Sequence, residues 1–511
     1  MINRFNGEGD FLNIHKSKVL EATKHVEERS KEYDGGKYNL GYHISTPAWI
    51  NDPNGLVEYK GEYHVFYQHH PYSESGGPMH WGHVKSKDLV HWERLPIALA
   101  PTEKYDKDGC FSGSAIVKDE VLILFYTGFV LEDAEKAIST QVQCMAVSED
   151  GINFTKVDQN PIISKPPAEG SYHFRDPKVW EHNGSWYMIV GTTKEDVGKV
   201  VLYTSLDLID WEYRGVLAKS DDIMGYMWEC PDFFHLDGKD ILLISPQGIK
   251  ANGDQFNNLY QTGYISGSYN YEHNKYTRNQ DFLELDKGHD FYAAQTFEDT
   301  QGRRIIIGWM DMWESKMPTK EEGWAGAHTL PRILTLEEND QVVMNPVPEL
   351  DLLRNQQIEK LENKQITLES ELVTFGQLVE LEMTFNFLNT NAKVFGIKLR
   401  CSDDGEEDVV IGYNVESNNL FLDRKRAGMP QDSLRQSELT CPNGKLKLHI
   451  YLDRSSIEVF ANDGLLVMTS RIYLSETSNK MKLFTDQGYV NMMHLESWSL
   501  KDIWEEESGL G

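Results

Sequence analysis

The chain has 511 residues, too many for one ordinary hydrophobic core, so two or more domains are expected. Its 80 acidic residues against 50 basic ones give a formal charge of −30, which repels phosphate backbones and anionic lipid and argues against nucleic-acid or membrane partners. Five scattered cysteines (Cys110, Cys144, Cys230, Cys401, Cys441) without a C-x-x-C pair, and no apolar run of membrane-span length, point to a soluble, cytoplasmic protein.

Residues 1–36 are expected to form a helical extension, with Val19, Leu20, Ala22 and Val26 at near-helical spacing. From residue 37 the pattern changes to short strands rich in aromatic and β-branched residues. Five apolar runs centre on Phe66, Phe125, Ile189, Leu243 and Ile306, at steps of 54–64 residues. Each follows a turn pair: Lys60-Gly61, Lys118-Asp119, Asn183-Gly184, Asp237-Gly238 or Gln301-Gly302. Three units share a later signature beginning at Ser86, Ser148 and Ser205, each with an aspartate two residues on. A period near 60 residues made of short strands predicts repeated sheets, and five of them predict a five-bladed β-propeller over 37–347.

The stretch Trp49-Ile50-Asn51-Asp52-Pro53-Asn54-Gly55 reads first as a turn with an acid in it. The repeat changes its weight. Stepping back 13 or 14 residues from each strand centre reaches Asp52, Phe111, Asp176, Glu229 and Tyr292. Equivalent positions on the innermost strands converge on one channel mouth, which brings three carboxylates together. A polar, helix-prone linker is expected over 348–364. From 365 to 511 the alternating runs around Val394, Val409, Lys445, Ser456, Leu466 and Met481 predict a separate β-sandwich. The fold class is all-β, a propeller followed by a sandwich.

Three acids around one pocket suit glycosidic bond cleavage, which needs a proton donor and a carboxylate facing the anomeric carbon. Glu229 lies among Met227, Trp228, Cys230 and Pro231, apolar neighbours that disfavour charge and suit a general acid. Asp52, beside Asn51 and turn amides, suits an ionised nucleophile. Asp176 follows Arg175, whose fixed charge is expected to hold it ionised as a binder of sugar hydroxyls. Trp49, Trp81, Phe111, Tyr292 and Trp309 are candidates to stack on sugar rings, with Gln68 and Ser112 bonding hydroxyls. His69-His70 and His80-Trp81-Gly82-His83 lack a metal-ligand pattern, so neither metal nor cofactor is expected.

Trp49 to Gly55, Phe174-Arg175-Asp176-Pro177 and Trp228-Glu229-Cys230-Pro231 together resemble the hallmark motifs of glycoside hydrolase family 32. Phe111-Ser112-Gly113-Ser114-Ala115 is similar to its sugar-contact strand, and Leu452 to Phe460 to the signature of its C-terminal sandwich. The resemblance spans nearly the whole chain. It implies a β-D-fructofuranosyl substrate, retention of configuration, Asp52 as nucleophile, Glu229 as acid/base and Asp176 as transition-state stabiliser. Gly77 to His83, Pro231, Ser245-Pro246-Gln247-Gly248 and Tyr292 to Phe297 are similar to the bacterial sucrose-6-phosphate hydrolases of that family. No motif is a dedicated phosphate clamp, so sucrose, sucrose 6-phosphate and short fructooligosaccharides all stay open as the small-molecule partner, as do fructosyl transfer and homo-oligomer formation. A sugar-binding propeller without catalysis, or an inverting pentosidase on the same scaffold, are the rivals.

Overall fold

A sheet of short strands cannot bury both faces alone, and this chain buries them by stacking sheets around an axis. The computed structural model describes residues 10–32, 36–135, 138–221, 223–374, 376–429 and 433–504. Blade 1 comprises Ala48–Tyr59, Glu62–His70, His80–Ser86 and Trp92–Leu99, and blade 2 Gly109–Lys118, Val121–Asp133, Ile138–Ser148 and Thr155–Lys156. Blade 3 comprises Phe174–His182, Ser185–Lys194, Val197–Ser205 and Glu212–Lys219. Blade 4 comprises Met227–Leu236, Lys239–Gln247, Gly263–Asn270 and Lys275–Arg278, and blade 5 Tyr292–Glu298, Arg304–Trp309, Arg332–Leu336 and Val342–Pro346. The first strands of successive blades are neighbours around the ring, and the fifth meets the first. The five-unit repeat is thus a closed propeller.

Local chemistry explains the repeat's punctuation. Lys60-Gly61, Asn183-Gly184 and Asp237-Gly238 carry positive φ at both central residues, as two-residue hairpins require. In blade 2 the turn is Asp119-Glu120, one residue later than expected, because the strand runs through Lys118. The shared Ser-x-Asp signature is a capped turn between third and fourth strands. Asp88 Oδ1 accepts the amides of Val90 and His91, Asp150 Oδ1 those of Ile152 and Asn153, and Asp207 Oδ1 those of Ile209 and Asp210, all at 2.8–3.0 Å.

The propeller core lies as wedges between adjacent blades: around Phe66 and Trp81 between blades 1 and 2, around Phe125 and Met188 between 2 and 3, and around Trp228 and Ile244 between 3 and 4. Closure uses the segment after blade 5. Trp324–Ala325 pairs parallel with Ala48–Trp49 as an added strand of blade 1. Gly326 (φ +86°) passes so close beneath the site strand that a Cβ there would lie 2.0 Å from the Ile50 carbonyl oxygen. The helix Asp10–Glu32 packs on the outer strand of blade 1, where Ile97 N donates to Thr23 Oγ1 (3.0 Å) and Ala100 N to His15 Nε2 (3.3 Å). Among the described residues, no helix is long and apolar enough to cross a membrane.

The C-terminal part is two six-stranded sheets. One carries Arg354–Ile366, Val490–Leu500, Val379–Asn386, Lys445–Asp453, Ser456–Ala461 and Leu466–Arg471; the other Glu369–Leu372, Lys480–Thr485, Val394–Cys401, Asp408–Asn414, Asn419–Arg426 and Leu434–Glu438. Their inner faces share one apolar core from Ile366 to Leu495. The linker expected over 348–364 is different. Pro348–Leu353 is a 3-10 helix, and Arg354–Ile366 is an edge strand paired to Val490–Leu500. An edge strand with one face in water is polar by necessity, so its composition imitated a helix-prone bridge; only Ile358, Leu361 and Ile366 reach the core.

Charged groups fill the seam between propeller and sandwich. His43 lies between Asp453 (Nδ1 to Oδ2, 2.8 Å) and Glu458 (Nε2 to Oε1, 3.0 Å), all three without exposed side-chain surface. Both ring nitrogens face carboxylates, so the ring is doubly protonated. Burial pulls its pKa down, but the bonds to Asp453 and Glu458 outweigh burial and leave it above the usual histidine value. Arg332 donates to Glu458 Oε2 (2.7 Å) and to Asp286 Oδ2 (3.0 Å). Asp453 and Glu458 belong to the sandwich signature 452–460, whose role here is to dock the sandwich on the propeller.

Candidate active site

The inner strand of every blade carries an irregularity at the same place. Between Ile50 and Pro53, Phe111 and Gly113, Arg175 and Lys178, Glu229 and Asp232, and Tyr292 and Gln295, the first strand has one residue more than its partner. Asp176 (φ +67°), Cys230 (+45°) and Ala293 (+52°) take left-handed backbone at these bulges. A bulge turns side chains out of the pleat and toward the channel mouth. The three acids sit there, but not at one ladder position as the sequence spacing suggested. Glu229 is the last regular pair before its bulge, Asp176 the first bulged residue and Asp52 the second. That offset lets three carboxylates approach one point from three blades without lying side by side.

Asp52 is held by neutral donors only: Ser112 Oγ to Oδ2 at 2.6 Å, Asn51 Nδ2 to Oδ1 at 3.0 Å, and the Cys230 thiol at 3.5 Å. Asn51 is itself oriented by the Trp49 indole N–H (2.7 Å). Burial pushes the Asp52 carboxyl up; the Ser112, Asn51 and Cys230 bonds oppose this, and the Glu229 charge adds to it. Asp176 is buried, and its Oδ2 accepts the Cys230 amide (2.9 Å). Burial, opposed by Arg175 and reinforced by Glu229 and Asp52, pushes Asp176 up to about 7.

Arg175 does not do what its place in the sequence suggested. Its Nε and Nη2 both grip Glu229 Oε1 (3.0 and 2.7 Å), while Asp176 Oδ2 is 4.0 Å away. Consecutive residues at a bulge point apart, so the arginine reaches across to blade 4 instead of folding onto its neighbour. Glu229 therefore does not sit in an apolar shell. Its Oε2 accepts from Tyr292 OH (2.5 Å) and Gln247 Nε2 (2.8 Å).

The structure thus brings Asp52, Asp176, Glu229, Asn51, Ser112, Arg175 and Tyr292 together. The aromatic expectations need correction. Trp81, Trp309 and Tyr292 are fully buried and cannot stack on a sugar ring; Tyr292 turns its hydroxyl onto Glu229 instead. Trp81 packs in the blade 1–2 wedge with its N–H on the Phe111 carbonyl (3.1 Å), and Trp309 packs against Trp49 (centroids 5.9 Å). Gln68 is also buried and donates to the Cys110 carbonyl (2.9 Å) rather than facing the mouth. Trp49 is 3% exposed and acts through Asn51. Partly exposed aromatic faces here are Phe111, stacked on Phe129 at 4.2 Å, Trp313, stacked on Trp49 at 5.6 Å, and Tyr260, 5.7 Å from Tyr292.

Three participants escaped sequence reasoning: Gln247 on Glu229, Trp313, and the Cys230 amide on Asp176. Gln247 ends the second strand of blade 4, opposite Met227, so the register of that hairpin is the signal that could have found it. Among the described residues, one trio has metal-ligand proximity, Glu380–Glu382–His449 in the sandwich. The Arg354 guanidinium already bonds both of its carboxylates at 2.7 Å.

Comparison with known proteins agrees with this geometry. Residues 43–346 match the model "Glycosyl hydrolases family 32 N-terminal domain", and 349–499 match "Glycosyl hydrolases family 32 C terminal". The sucrose-6-phosphate hydrolase of Zymomonas mobilis is 43% identical over 506 residues, covering 95% of this chain and 96% of that protein. The raffinose invertase of Escherichia coli is 42% identical, covering 90% and 94%. A Bombyx mori GH32 beta-fructofuranosidase mutant solved in complex with sucrose has a TM-score of 0.85 at 36% identity, covering 96% of this chain and 99% of that one. The chain belongs to glycosyl hydrolase family 32.

Proposed function

We infer that this glycoside hydrolase is a retaining β-fructofuranosidase that releases the terminal fructosyl group of sucrose or sucrose 6-phosphate. The observation that carries the inference is the convergence of three carboxylates, Asp52, Asp176 and Glu229, from the bulges of three blades on one channel mouth. Asp52 is oriented by neutral donors, and Arg175 fixes one oxygen of Glu229 in place. The other oxygen faces Tyr292, whose hydroxyl also lies 3.2 Å from the Ser245 carbonyl. Tyr292 can donate to Ser245 while accepting from a protonated Glu229, and donate to Glu229 once the proton has left.

In the first step Asp52 bonds the anomeric carbon as the glycosidic C–O bond breaks, and Glu229 gives its proton to the leaving oxygen. In the second, water bonds that carbon, Glu229 takes the water proton, and the ester to Asp52 breaks. Asp176 accepts a hydroxyl of the fructosyl ring, an interaction that strengthens as the ring becomes oxocarbenium-like. Retention requires the Asp52 and Glu229 carboxyl groups about 5–5.5 Å apart. The free state of all five cysteines supports a reducing, cytoplasmic setting.

The test compares kcat/KM for sucrose, sucrose 6-phosphate, kestose and inulin, and follows the first-formed sugar by NMR. β-Fructofuranose appearing first, with sucrose or its 6-phosphate preferred, is the expected result. An α-anomer first would sink retention, and accumulation of oligomers from concentrated sucrose would favour a transferase.

A further inference from the structure

Beside Glu229, on the rim between blades 3 and 4, lies a cavity of about 330 Å³ lined by Tyr172, His173, Arg175, Lys194, Tyr226 and Gln247. Two of these, Arg175 and Gln247, hold the Glu229 carboxylate, and neither Asp52 nor its neutral donors line the cavity, so it borders the proton donor.

His173 is built into this wall. Its amide donates to Ser171 Oγ (3.2 Å), its carbonyl accepts from Thr192 Oγ1 (2.6 Å), and its ring packs on Tyr172 at 4.3 Å. The ring's Nδ1 lies 3.2 Å from Arg175 Nη1. A guanidinium never gives up its protons, so it can only donate, and Nδ1 must be the bare acceptor. The ring proton is therefore on Nε2. Burial and the Arg175 charge push the His173 pKa down to about 4, which keeps the ring neutral at neutral pH. Among the described residues Nε2 has no hydrogen-bond partner, although His173 lines the cavity.

We propose that His173, locked by Arg175 in the tautomer that carries its proton on Nε2, is a specificity-determining donor to a hydroxyl of the leaving sugar in this rim cavity. The proposal rests on the β-fructofuranosidase reading and names the group that recognises the half of the substrate that departs. It also couples recognition to chemistry: a sugar bonded to Nε2 is joined through the imidazole and Arg175 to the carboxyl that must protonate its own oxygen.

The test separates the two ring nitrogens. H173N keeps a polar atom near Nδ1 and nothing at Nε2; H173Q reaches the Nε2 position with an amide donor. The readout is the ratio of kcat/KM for sucrose to that for methyl β-D-fructofuranoside, whose leaving group is too small to reach His173. H173N should lower this ratio about five- to tenfold, the worth of one neutral hydrogen bond, chiefly through KM for sucrose. H173Q should hold the ratio within about twofold of the wild type. A general structural disturbance lowers both substrates together and leaves the ratio unchanged. An unchanged ratio in H173N, or a ratio in H173Q as low as in H173N, overturns the proposal. Wild-type protein that cleaves neither fructoside overturns the β-fructofuranosidase reading along with it.

Discussion

Two regions of this molecule bury carboxylates in number, and Asp453 and Glu458 at one are treated in the opposite way to Asp52 and Asp176 at the other. At the propeller–sandwich seam Asp453 and Glu458 are fully buried, yet their pKa values are lowered. Burial raises each, but His43 with the Gly41 amide and Arg454 overcome it for Asp453, and Arg332, His43 and the Leu330 amide for Glu458. At the channel mouth three carboxylates share one arginine, which is spent on Glu229, and Asp52 and Asp176 are both raised. Asp453 and Glu458 have their charges satisfied because they hold two domains in place. The mouth leaves charge unsatisfied because its task is to meet charge that develops only in the transition state. Buried acid alone therefore does not mark a site, since Asp286 and Asp311, paired with Arg332 and Arg471 at the seam, are raised as well; the mouth is set apart by three carboxylates from three blades around one arginine.

The largest effect should come from D52A, which removes the proposed nucleophile: fructose release should fall by roughly 10⁴-fold or more, with the melting temperature nearly unchanged. A comparable loss of folded protein would mean that Asp52 behaves like a seam acid. R332M does the reverse at the seam. Leaving Glu458 and Asp286 without their cation should lower stability by about 3–5 kcal/mol in urea unfolding, with kcat of the folded enzyme preserved.

D176N tests the mouth's stored charge. The folded-state pKa of about 7 lies above that of an unfolded aspartate, so the native state loses stability as pH rises from about 4 and bears the whole penalty above 7. The amide can still accept the Cys230 N–H. Melting curves should therefore show D176N equal to wild type near pH 4 and more stable by about 2–4 kcal/mol at pH 8, although fructose release falls. Equal stability at both pH values would show that Asp176 is not electrostatically strained.

The smallest effect has the opposite cause. His43 has a raised pKa, so its contribution is complete below the unfolded value of about 6.5 and is lost as pH rises through the folded value. Wild-type stability should decline on the alkaline side, and H43Q should be less stable at pH 6 yet lack that decline. Parallel curves for the two proteins would remove His43 from the seam's charge balance.

Much of this was legible in the chain itself. Strand-and-turn units recurring about every 60 residues require repeated sheets, since none can bury both faces alone. The recurrence also brought Asp52, Asp176 and Glu229 to one end of the channel. Six of the sandwich strands stood out by alternation; Arg354–Ile366 did not, because an edge exposed to water loses its apolar signal. The partners within the site were beyond sequence. Arg175 and Glu229 are 54 residues apart, as are Asp176 and the Cys230 amide. Which carboxylate takes the arginine depends on a one-residue bulge that aims consecutive side chains apart. Sequence spacing fixed which residues share the mouth; backbone geometry at the bulge, and the closure of five blades around it, decided which of them touch.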